Sequence, residues 1–264
     1  MNTLVHSMPR AMPMPSARLL RAYFMESRYE IVRQLRMLPL SLPMLVLPVF
    51  IYLLFGVVIS HDAVQKMPVL ADLLFIGFAI LAIAGPALFS IGCGLAMERD
   101  QGLMKLKRAM PVPPGGYVLA KMLTSLALSI MAAAIMIPAG VYFGHLTMSG
   151  TQFLMLTAVL IGGCLPFCAI GLFIGTHVSG SASPGVANVV YLPMIWLSGL
   201  FIPLPAFLQP WQALWPTYHV QQIALAATGL HSFQSIHPAI AVAVLLAVTA
   251  LFGGLSIRRL ARKG

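Results

Sequence analysis

The sequence predicts an all-α integral membrane protein. It should have six transmembrane helices, an N-terminal amphipathic interfacial helix and a short outer interfacial helix between spans five and six. Three observations lead there. Hydrophobic residues make up 59% of the 264 and charged residues only 8%, where soluble domains carry about half and about a quarter. From Met122 to Ile257 there is no Lys, Arg, Asp or Glu, and a soluble fold of that length needs charged surface to stay dispersed. The basic residues, finally, are clustered. Arg10, Arg18, Arg21, Arg28, Arg33 and Arg36 precede the first apolar run, Arg99, Lys105, Lys107, Arg108 and Lys121 lie mid-chain, Arg258, Arg259, Arg262 and Lys263 close it, and Lys66 stands alone. Such clustering is what the positive-inside rule predicts for cytoplasmic segments.

Residues 1–41 read as a cytoplasmic tail and interfacial helix. The first fifteen are rich in Met and Pro and lack the apolar core of a signal peptide, so no cleavage is expected. From Ser16, which suits an N-cap, to about Leu38 the pattern is helical. Leu20, Phe24, Ile31 and Leu35 share one face and Arg18, Arg21, Arg28 and Arg36 an adjacent one, the pattern of a helix lying on the inner leaflet. The first span is placed at 42–60, with Pro43 and Pro48 near its start, where N–H groups lack helical partners anyway. A short external loop, 61–68, leads to a second span at 69–96, with Gly85-Pro86 as a place for a kink. Asp72, near the outer end, is expected to be a solvated boundary carboxylate.

The third to sixth spans are placed at 117–143, 152–176, 185–203 and 237–257. The uncharged turn His177–Pro184 should be cytoplasmic by parity alone. Gly140/Gly144 and Gly171/Gly175 have the small-xxx-small spacing that suits close helix packing. Trp211, Trp215, Tyr218 and His219 follow Pro203, Pro205 and Pro210, and Trp and Tyr favour the membrane–water boundary, so an outer interfacial or half-inserted helix is expected there. The whole chain, 1–264, reads as one transmembrane domain.

The chemistry is narrowed by what is missing. The net charge of +10 could suggest nucleic acid, but its clustering at span ends argues for anionic headgroups instead, and no nucleic-acid partner is expected. No G-x-x-x-x-G-K-[ST], H-E-x-x-H or G-x-S-x-G motif occurs. Cys93, Cys164 and Cys168 fall inside spans, and two thiols without His or carboxylate company make a poor metal site. The spans after Lys121 offer no carboxylate for proton or ion coupling. No catalytic, cofactor or metal residue is therefore assigned, and energy for any transport must enter from outside.

The dense polar stretch Met97–Lys121 is where it could enter. Glu98-Arg99-Asp100-Gln101-Gly102-Leu103-Met104-Lys105-Leu106, followed by Pro111 and Lys121, resembles the segment joining spans two and three of ABC-2 type transporter permeases. That family's pattern there is E-(basic)-x-x-G-T-L-x-x-L, then a proline and a lysine; Leu103 replaces the usual Thr. Ser198-Gly199-Leu200-Phe201-Ile202-Pro203 and Trp215-Pro216-Thr217-Tyr218 also look like the family's fifth-span end and outer helix.

The resemblance implies the permease of an ABC exporter in the cell inner membrane, both termini cytoplasmic. It implies a separate ATPase subunit holding ATP-Mg, a second permease copy and contact with membrane lipids as partners. The cargo would be a lipophilic drug, a lipid or a lipid-linked glycan. It casts Glu98, Arg99, Asp100, Gln101, Gly102, Lys105 and Arg108 as a short, water-exposed helix contacting the ATPase, with acidic residues first and Lys105, Lys107 and Arg108 last, complementing its dipole. Pro111, Pro113 and Pro114 stop it, and Gly115 and Gly116, ahead of Lys121, return the chain to the membrane. An ion-gradient-driven carrier, and an intramembrane enzyme or assembly factor, are the alternatives.

Overall fold

The computed structural model describes residues 16–36, 38–103, 114–202 and 204–263. Among them every regular element is helical. In chain order these are α1 (Ser16–Arg36), α2 (Leu38–Ile51) running into a π-helix (Tyr52–Ile59), α3 (His61–Lys66), α4 (Val69–Asp100), α5 (Pro114–Phe143), α6 (Gly150–His177), α7 (Ser183–Trp196), α8 (Gln209–Gln212), α9 (Pro216–Ala227) and α10 (Pro238–Lys263). Four of the described helices, α4, α5, α6 and α10, are long and apolar enough to cross a membrane.

The central element is α4. It contacts α2, α5, α6, α7 and α9, and Phe75, Ile76, Ile80, Ile83, Leu88, Ile91 and Leu95 are all fully buried. A helix hydrophobic on every side belongs inside a bundle rather than at its edge. At 1.5 Å per residue its 32 residues run about 48 Å, longer than the roughly 30 Å of bilayer hydrocarbon. Pro86 lies inside it without ending it. Neighbouring helices supply donors around that point: Ser129 Oγ to Ile83 O (3.3 Å), Ser125 Oγ to Ala87 O (3.2 Å) and Tyr191 OH to Leu81 O (3.2 Å). Backbone carbonyls loosened by a proline in a membrane need such partners.

Apolar burial gives little drive to helix association within lipid, so close contact and hydrogen bonds must do it. The α4–α6 contact shows how. A Cβ on Gly171 would lie 2.5 Å from the Leu88 carbonyl oxygen, and one on Gly175 would lie 2.9 Å from that of Gly92. The small-residue spacing at Gly171/Gly175 thus joins two helices of the same chain. Cys164 and Cys168, on the same helix, are buried, and Cys168 Sγ donates to Ser125 Oγ (3.2 Å).

Several expectations need correction. The stretch placed as the first span is an α-helix that turns π over Tyr52–Ile59, and it is not among the four long enough to cross. The fifth is a 14-residue helix, about 21 Å long, shorter than the 185–203 placed for it. Gly199 at φ +74° turns the chain there, and the following Leu200 carbonyl packs so close to Gly77 that a Cβ there would lie 2.8 Å away. The outer helix is not simply interfacial: Tyr218, Val220, Ala224 and Leu225 of α9 are buried against the bundle. Trp211 stays exposed and Trp215 is half-buried, since aromatic content reports depth in a membrane rather than packing. Asp72 is not solvated either. It is buried, its Oδ1 accepting from Thr147 N (3.0 Å) and its Oδ2 from the Thr147 hydroxyl, which ties the start of α4 to the turn before α6.

Candidate functional site

At the C-terminal end of α4, three helices bring together two carboxylates and two cations. Glu30 and Arg33 come from one face of α1, Glu98 from the last turn of α4 and Lys121 from α5. Lys121 Nζ donates to Glu98 Oε1 (2.7 Å) and to Glu30, and Arg33 Nη2 donates to Glu30 Oε1 (2.6 Å) and to Glu98. Glu98 is only 3% exposed and Lys121 only 2%, while the Arg33 side chain is partly open. Removing ions from water is tolerable only when each meets opposite charge at hydrogen-bond distance. Here each carboxylate meets both cations, and the four charges cancel. Burial opposes the charge on Arg33, but Glu98 and then Glu30 outweigh it and raise the guanidinium above its ordinary pKa.

The next two residues grip a different part of the molecule. Arg99 donates from Nη1 to Gly175 O (3.1 Å) and from Nη2 to Val178 O (2.7 Å), capping carbonyls at the end of α6. Cations suit that position because the last carbonyls of a helix lack intrahelical donors. Asp100 Oδ2 accepts from Gly180 N (2.6 Å) in the α6–α7 turn, where a Cβ on Gly180 would lie 3.0 Å from Met97 Cα. Gln101 caps α4, and Gly102, at φ +74°, takes the left-handed conformation that closes a helix. The rings of Phe173 and Phe252 lie 5.2 Å apart, so the end of α10 carrying Arg258 and Arg259 is here too. The uncharged His177–Pro184 turn, α1 and the last helix thus share one end of the bundle.

This arrangement revises the polar stretch. Met97–Asp100 is the final turn of α4 rather than a separate short helix. Glu98 and Lys121 stand in a buried ion network rather than in water. Gly115 and Gly116 lie in the first turn of α5. Lys105, Lys107, Arg108, Pro111 and Pro113 lie outside the described residues. Trp211, Trp215 and Tyr218 are not part of this site; the segment they occupy packs near the other end of α4. Sequence reasoning passed over Glu30, and Arg33 figured only as one arginine among six. Glu30 is one of just six acidic residues in the chain and sits three from Arg33 in a helix otherwise dominated by arginine, which is the signal that could have found it. Among the described residues no group of three His, Cys, Asp or Glu is placed to hold a metal.

The helices and their bound ends define a polytopic membrane protein in which Glu30, Arg33, Glu98 and Lys121 form one ion network at one end of α4. Residues 22–234 match the family model of the ABC-2 type transporter, and the chain belongs to that family. It is also 24% identical over 197 residues to "Putative transport permease YvfS" of Bacillus subtilis (strain 168), a match covering 74% of this chain and 80% of that relative. Transport, rather than catalysis, is what this kinship supports.

Proposed function

We propose that this chain is the permease subunit of an ATP-driven exporter in the cell inner membrane, both termini cytoplasmic. It works as a dimer with a second permease, coupled to separate ATPase subunits that bind ATP-Mg. The observation that carries the reading is the junction around Glu98, Arg99 and Asp100. One helical turn holds α1 and α5 through ions and the α6–α7 turn through hydrogen bonds. Force that a partner applies at the end of α4 enters at that turn and reaches α1, α5 and the α6–α7 turn through these contacts. Lys105 and Arg108 are the candidate partner contacts, and the exposed Gln101 adjoins them. The cargo is a lipophilic drug, a lipid or a glycan.

The ion-driven alternative gains something from the structure, because buried carboxylates do exist. Glu98 and Asp72, however, lie 26 residues apart on α4, about 39 Å, which is wider than the apolar layer. Each is engaged at a helix end, not poised at mid-span. Co-expression with a candidate ATPase separates the readings. Lys105→Glu with Arg108→Glu should abolish co-purification and permease-stimulated ATP hydrolysis. Gradient-dependent transport by the permease alone, with no ATPase present, would overturn the exporter assignment.

A further inference from the structure

We propose that the cavity near the N-terminal end of α4 binds the uncharged, hydroxyl-rich head of an amphiphile, such as a glycoside. The cavity holds about 500 Å³, within the usual range for small-ligand sites. One wall is apolar, built from Leu70, Leu73 and Leu74 in the first turns of α4. Facing it, Tyr218, Gln221 and Gln222 of α9 recur at the spacing that puts side chains on one face of a helix, and Gln212 joins them from α8. Among the described residues, none that lines it is charged.

The polar wall has hydrogen-bonding capacity that the protein does not use. Gln222 is 3% exposed; its Oε1 accepts from Ser235 N (2.7 Å), while its Nε2 donates to no described group. Tyr218 is buried, yet its hydroxyl makes no hydrogen bond among the described residues. The Gln212 carboxamide likewise has none, and lies against Gly199, where a Cβ would come within 3.4 Å of Nε2. Gln221 Nε2 reaches only the Leu200 carbonyl, at the long distance of 3.5 Å. These polar atoms open into the cavity rather than into the packed interior, so their donors and acceptors face whatever enters it.

An occupant must both donate and accept, because carboxamides and a phenol present both kinds of group. A full charge would lose its hydration with no counter-ion to replace it. A sugar hydroxyl donates and accepts at once, and the C–H faces and alkyl chain of a glycoside suit the leucine wall. The inference is independent of ATPase coupling, since binding here needs no nucleotide.

The test uses the full chain in phosphatidylcholine nanodiscs and three photoactivatable probes with one diazirine-bearing alkyl chain: a β-glucoside, a phosphate monoester and a trimethylammonium. The glucoside should label peptides from Ser198–Ser235 or the start of α4 well above both charged probes. Tyr218→Phe and Gln212→Leu should each lower that labelling about threefold or more, the worth of one hydrogen bond, with unchanged melting because neither group bonds within the fold. Competition by free maltose would mark a soluble saccharide as the natural source, and competition by unlabelled alkyl glucoside alone a membrane-borne one; either supports the site. Equal labelling by all three probes, or glucoside labelling indifferent to both substitutions, would show a water-filled vestibule and overturn the proposal.

Discussion

The two ends of α4 handle polar groups in opposite ways. At one end Glu98 and Lys121 are buried, and Glu30, Arg33, Glu98 and Lys121 each meet opposite charge. At the other, Gln212, Tyr218 and Gln222 line a cavity with donors and acceptors unspent. A saturated network fixes the distances between the helices that contribute to it. An unsaturated wall fixes nothing by itself and stays available to something that arrives. One helix therefore carries a fastened end and a receptive end, and substitutions should distinguish them sharply.

The largest effect belongs to Lys121. Lys121→Met leaves Glu30 and Glu98 with Arg33 as their described cation, and removing one member of a buried pair costs about 3–5 kcal/mol. A marked drop in melting temperature in detergent is the expected result, and combining Lys121→Met with Glu98→Gln should restore part of it. A single variant that melts like the parent would show that the network does not fasten the helices. Arg99→Ala comes next, at about 1.5–3 kcal/mol for charged hydrogen bonds, discounted because the side chain is partly solvated. Hydrogen exchange should accelerate in the α6–α7 turn, including the Gly180 amide.

A smaller effect is expected from pH at the cavity end. His219 is buried, its Nε2 donating to Ala213 O (2.8 Å), while Nδ1 has no partner among the described residues. Burial lowers the His219 pKa below the ordinary 6.5, and the bond to Ala213 only partly offsets this. The unfolded chain then takes up this proton more readily than the folded one. The stability linked to His219 is complete above pH 6.5 and is lost as pH falls through that value toward the depressed one. Melting between pH 7.5 and 5.5 should show it, and His219→Gln should flatten that slope. The smallest effect is Gln212→Leu, within about 0.5 kcal/mol, since the side chain holds nothing in place.

Four of the six expected spans were legible because hydropathy acts over whole segments. The expectation that Met97–Lys121 stands in water failed at Glu98 and Lys121 for a definite reason. Helical period tells which face a residue occupies but not what lies across from it. Glu30 is 68 residues from Glu98 and 91 from Lys121, so nothing local links them. Asp72 is the same case, since Thr147 lies 75 residues away. The inward packing of α9 is hidden in the sequence because Trp211, Trp215 and Tyr218 point to an interface, while Val220, Ala224 and Leu225 are buried.

With no room for a methyl group between Gly171 and Leu88, or between Gly175 and Gly92, α4 and α6 meet backbone to backbone over that stretch. The leucine wall at the start of α4 and the turn that Asp100 holds are thus carried by one continuous helix in backbone contact with its neighbour.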